Sequence, residues 1–122
     1  MKVITFEEFD KQLNNHKLWL DTLGDSGKCA DFSNCALPGA NFSELNLTHA
    51  NFSNSDLDGS EFYNTNLTNV NLTNSDLRSA NLSNADLTYA NLTSANLNGA
   101  ILKSTNLDNA NLQSAKLIGC SF

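Results

Sequence analysis

The sequence holds 122 residues, with 13 Asp and Glu against 7 Lys and Arg and a formal charge of −6. That length fits one domain with a short appendage, and the acidity speaks against direct nucleic-acid binding, which rests on basic side chains neutralising phosphates. One proline and six glycines exclude a collagen-like or Pro/Gly-rich disordered chain.

Residues 1–23 carry no repeat. Thr5 followed by Glu8 forms a capping-box pattern, with Ile4 and Phe9 as its hydrophobic staple. Phe6, Phe9, Leu13 and Leu20 recur at helical spacing and Gly24 stands just past them, which predicts a helix from about Phe6 to Leu23. Trp19 falls on or near its apolar side. The opening residues lack the apolar stretch of a secretory signal, and no later run reaches the ~18 apolar residues of a membrane span. The expected location is therefore cytoplasmic, with no membrane contact.

From Phe32 to Phe122 every fifth residue is Leu or Phe. Two positions earlier stands a small residue such as Ala30, Cys35, Ala40 or Ser55, with Leu45 and Val70 as the bulky departures. Asn or Asp fills most of the gaps between, and two mostly polar residues close each unit. A period of five matches neither the 3.6 of a helix nor the 2 of a flat strand. It suits a chain that turns a corner every five residues. The small and large residues of a unit are two apart, so extended backbone points both to one face.

Gly39, Gly59, Gly99 and Gly119 all occupy the fifth position of a unit, spaced by 20, 40 and 20 residues. Four units per turn account for that spacing, with glycine at the corner where a left-handed backbone angle costs least. Asn51, Asn71, Asn91 and Asn111 repeat at the same interval and are expected to bond to one another between turns, as stacked asparagines do in other layered strands. The same register places Phe32 against Phe52 and Phe42 against Phe62.

These units resemble those of the pentapeptide-repeat family, A-(D/N)-L-x-x, over residues 30–122. The resemblance implies an all-β solenoid, a right-handed quadrilateral β-helix with each unit forming one side. The helix becomes its N-terminal cap, so residues 1–29 are the cap and lead-in and residues 30–122 the rod of a single domain. A solenoid needs such a cap because its terminal turn otherwise exposes the core.

Chemistry-bearing patterns are sparse. His16 and His49 stand alone, each expected to be solvated or packed against the cap. Cys35 and Cys120 occupy small-residue core positions and Cys29 the cap junction; three cysteines without a C-x-x-C suggest reduced thiols rather than a disulfide or metal site. Whether Cys29 is reactive stays open. No phosphate loop, nucleophile–base set or paired carboxylates stand out, so no catalytic, cofactor or metal residues are assigned and an enzyme is not expected. The Asn-x-Ser/Thr triplets follow from the repeat itself.

Two surfaces remain. Ile101 and Ile118 sit where the pattern calls for polar residues and, with Leu117 and Phe122, form a candidate interface for a homodimer joined at its C-terminal ends. Asp56, Asp58, Glu61 and Asp76 gather near one corner, with Arg78 over Asp58. Several relatives of the resembled family imitate DNA and bind gyrase, which makes gyrase binding the alternative function. The repeat region carries eight acids against Arg78, Lys103 and Lys116, whereas a rod of ~22 Å would need ~13 charges to match duplex DNA. A row of Thr48, Thr68 and Thr88 raises ice binding as a third reading, broken by Asp108. The leading expectation is a noncatalytic scaffold, a rigid acidic rod that binds an unidentified protein partner through its faces or its C-terminal end.

Overall fold

The computed structural model describes residues 1–122. Its one helix, α1 (Phe6–Asp21), precedes a right-handed, four-sided β-helix. Parallel β-bridges join each side to the one twenty residues on: Asp31 to Asn51, Ala36 to Asp56, Asn41 to Glu61 and Asn46 to Asn66, continuing to Ile101 with Ser121. The coil contains four units, as the glycine spacing predicts.

Each unit builds its side and corner in the same way. The central residue donates to the coil below (Phe32 N–H to Asn51 C=O, 2.7 Å) and the residue before it to the coil above (Asn51 N–H to Ala30 C=O, 3.0 Å). The corner is a four-residue turn closed by the next unit's first N–H, as from Ala50 to Leu47 C=O at 3.0 Å. Its third residue takes a positive φ, the geometry that favours Gly or Asn. The sequence marks one such corner by its glycines, yet all four turn this way: Asn34, Glu44 and His49 have φ of 57°, 64° and 69° beside 69° at Gly39. Ser79 and Tyr89 adopt it too, at 58° and 60°.

The expected asparagine ladder does not form. Asn51 Oδ1 accepts the N–H of Ser53 and Asn71 Oδ1 that of Thr73, each at 3.0 Å. Each amide thus satisfies the N–H two residues on and braces its own corner.

Inside, the rod is filled mainly by apolar side chains. Leu57, Leu67, Leu72, Leu77, Leu82, Leu87 and Leu92 are fully buried, with Ala80, Ala90 and Ala100 alternating beside them. Each buried Leu or Phe contributes about 1.5–3 kcal/mol. Phe32 stacks on Phe52 at 5.3 Å and Phe42 on Phe62 at 5.0 Å, and the two columns meet edge to face. Small polar residues at core positions bond to backbone carbonyls, as Ser60 Oγ does to Leu57 and Thr65 Oγ1 to Phe42.

The N-terminal end is closed by side chain and backbone together. Thr5 caps α1 by accepting the Glu8 N–H at 3.1 Å. Phe9 packs into the shaft, while Ile4 and Leu13 pack around its mouth. Phe6, expected on the same stripe, is exposed: in the first turn of α1 it overhangs the rim of the coil. The helix stops at Asp21, two residues short of the expected Leu23, in a Schellman motif. Gly24 N–H bonds to Trp19 C=O and Leu23 N–H to Leu20 C=O. Leu23 itself takes the left-handed position, φ 54°. Residues before the helix also join the rod, since Lys2 bridges in parallel to Cys35 and bonds to Asn34 and Ala36.

Candidate interaction surfaces

In the last coil the backbone is only partly paired. Leu102 N–H reaches Ser121 and Ser121 N–H reaches Ala100, whereas the N–H groups of Leu107, Leu112 and Leu117 have no backbone acceptor. Burial falls off in step: Leu102 is buried, Leu107 and Leu112 half-buried, Leu117 exposed and Phe122 77% exposed. Ile101 and Ile118 flank one corner column, Ile118 at 78% exposure. Ile118 N–H donates to Asn98 Oδ1 at 2.9 Å, and Ile101 pairs with Ser121. The four residues singled out from the sequence thus lie along one end, beside a row of unpaired strand donors. Between the two ends, the large exposed apolar side chains on the walls are Tyr63 and Tyr89.

The acidic set is tied up locally. Asp56, Asp58 and Asp76 share one side and Glu61 opens the next. Asp56 Oδ1 accepts the Asp58 N–H at 3.0 Å, the same corner brace the asparagines make. Arg78 stands one coil from Asp58, as the register predicts, and its guanidinium forks onto Asp76 of its own unit. Its Nε and Nη2 donate to the two carboxylate oxygens at 2.9 and 2.6 Å, with its N–H at 3.1 Å. This fork holds the Asp76 carboxyl below its usual range and raises the guanidinium, to which Asp58 and Asp56 also contribute. One of the four acids is therefore neutralised and another serves the backbone.

Every thiol is pushed toward its protonated form, chiefly by burial, with Asp31 adding to the effect at Cys29. Cys29 Sγ contacts His49 C=O at 3.4 Å and Cys120 Sγ contacts Leu97 C=O at 3.0 Å. Lys2 pulls Cys35 the other way without overcoming its burial, and no three His, Cys, Asp or Glu side chains converge as metal ligands would. No helix is long and apolar enough to cross a membrane.

His16 has a structural task that its sequence position did not reveal. It is buried, and its Nδ1 accepts the Ala30 N–H at 2.9 Å, filling an edge position of the first coil. Gln12 Oε1 does the same for Asp31 N–H at 3.1 Å. His49 is an exposed corner residue.

Comparison with known proteins accords with this architecture. A family model described as "Pentapeptide repeat region" matches residues 28–102, and one described as "Pentapeptide repeats (8 copies)" matches residues 85–122. The chain is similar to a crystal structure of Rfr23, a pentapeptide repeat protein from the cyanobacterium Cyanothece 51142. Identity is 33%, the TM-score 0.77, and the match covers 81% of this chain and 68% of that one. It is also similar to alr5209, a pentapeptide repeat protein from Nostoc PCC 7120, at 30% identity and TM-score 0.55, covering 85% and 73% of the two chains. HetL from Nostoc sp. PCC 7120, a pentapeptide repeat protein involved in heterocyst differentiation regulation, shares the fold at 23% identity and TM-score 0.60. That match covers 77% of this chain and 58% of HetL. No curated protein matches the sequence.

Proposed function

We propose that this chain, which belongs to the pentapeptide-repeat family, is a noncatalytic interaction scaffold whose primary contact is made by its last coil, in the first instance with a second copy of itself. One observation supports the reading: Ile101, Leu117, Ile118 and Phe122 form an apolar patch beside the unpaired N–H groups of Leu107, Leu112 and Leu117. A strand edge with free donors and apolar neighbours gains hydrogen bonds and burial together when another edge meets it. A two-fold contact brings the same patch from both copies, which suits a self-complementary surface.

The acidic side is not the basis of this reading, because Asp76 is paired with Arg78 and Asp56 is engaged by its own corner. Sedimentation of the 122-residue chain tests the proposal. A dimer at micromolar concentration that becomes a monomer with Ile118→Asp and Phe122→Asp combined is the expected result. A wild-type monomer at that concentration removes it.

A further inference from the structure

The contacts of His16 set a condition on the cap that the interaction reading does not use. A ring nitrogen that accepts a hydrogen bond carries no proton, so the bond from Ala30 to Nδ1 requires neutral imidazole with its proton on Nε2. That nitrogen is buried without a well-formed acceptor. Protonation places a donor at Nδ1 opposite the donor of Ala30 and a charge in a site with no carboxylate partner.

The surroundings oppose that charge. Trp19 neighbours both histidines, its ring 5.6 Å from that of His16 and 6.2 Å from that of His49. His49 faces the site from the first coil and Cys29, a neutral thiol, from the lead-in. Lys28 follows on the same lead-in through its N–H to Asn15, and Lys17 of α1 is paired with Asp21. Burial and then His49 lower the affinity of His16 for a proton, outweighing the Thr48 backbone, which favours the charged ring. Other edge contacts of α1 are two neutral bonds, Gln12 to Asp31 and Asn15 to Lys28, and do not titrate.

We propose that the α1 cap is acid-releasable: protonation of His16 undocks the helix from the first coil while the coils below stay folded. Release bares the edge N–H groups of Ala30 and Asp31 and the Phe32 and Phe42 rings beneath Phe9. Neighbour-only coupling along a solenoid lets one end open alone. The sign follows from linkage. A histidine with lowered affinity for protons when docked stabilises docking fully above its ordinary value of 6.5, and that contribution falls as pH drops below it. Between the docked and free values, the undocked fraction relative to docked grows about tenfold per pH unit.

Trp19 is the only tryptophan, so its emission reports the cap directly. Titration of the full chain from neutral to about pH 5 is expected to shift that emission to the red, in step with the His16 ring signals in NMR. Hydrogen exchange is expected to show Ala30 and Asp31 losing protection while Leu77, Leu82 and Leu87 keep theirs. His16→Gln, which accepts but does not titrate, is expected to hold the emission constant. The proposal is overturned by steady wild-type emission, by ring and emission midpoints that differ, by coil amides opening together with Ala30, or by His16→Gln retaining the transition.

Discussion

The ring of Phe9 in α1 meets the ring of Phe42 in the first coil at 5.2 Å. The aromatic column of the shaft therefore ends on a residue from outside the repeat. Phe9→Ala is expected to cost about 2 kcal/mol, below the 3–5 of a fully buried phenylalanine because the ring is half-buried. The loss should be local: exchange of the α1 amides accelerates and Trp19 emission moves to the red while the middle coils keep their protection.

Leu82 is fully buried between coils, whereas Leu117 has none below it and is 37% exposed. In the monomer, Leu82→Ala should cost about 3 kcal/mol and Leu117→Ala about 1, because only the first leaves an enclosed cavity there. Urea unfolding of the two variants below the dimerisation range measures the difference. The Leu117→Ala loss should grow with protein concentration as the last coil is covered by a second copy, while the Leu82→Ala loss stays constant.

Tyr89 holds φ 60° with its side chain in solvent. Tyr89→Gly should stabilise the rod by about 0.5–1 kcal/mol, the relief of a left-handed β-carbon less the entropy of glycine. Gly59→Ala should destabilise by about 1 kcal/mol although no atom lies within 4 Å of the added carbon. Thermal melts settle both signs; a neutral Gly59→Ala would show that the corner relaxes.

Asp86 accepts from the Thr88 N–H and hydroxyl, which lowers its carboxyl below the usual range. A lowered folded value means the stabilisation is complete above the unfolded value of 3.8 and drains away as pH falls through the folded one. Asp86→Asn keeps the corner brace, as Asn66 and Asn46 do one and two coils earlier on that side. The variant should match the wild type within about 0.5 kcal/mol at neutral pH and outlast it in acid unfolding below 3.8.

The core was legible because Leu and Phe report which side of the backbone faces inward, and the glycines report when a side returns. The corner conformation was legible only at Gly39, Gly59, Gly99 and Gly119. Elsewhere Ser79, Glu44 and Tyr89 adopt the same angle without any compositional mark, because the stacked coils outweigh the local cost. Lys2 escaped notice since a single bridged residue has no period to read. His16 looked like a stray histidine because its partner, the Ala30 N–H, is a backbone group that only the folded cap brings near. The C-terminal patch was visible as Ile101 and Ile118 in polar slots, but the missing hydrogen bonds beside it belong to backbone and leave no trace in side-chain chemistry.

The pairing of each side with the one twenty residues on has a consequence for how such a rod tolerates length change. Adding a whole coil lengthens it and leaves every downstream side chain facing as before. Inserting a single quintet between Ile101 and Ile118 keeps the interior filled yet swings all that follows through a quarter turn, carrying Ile118 off the corner it now shares with Ile101. Insertions of one, two and three quintets would thus reorient the far end in compass steps without disturbing the material it is made of.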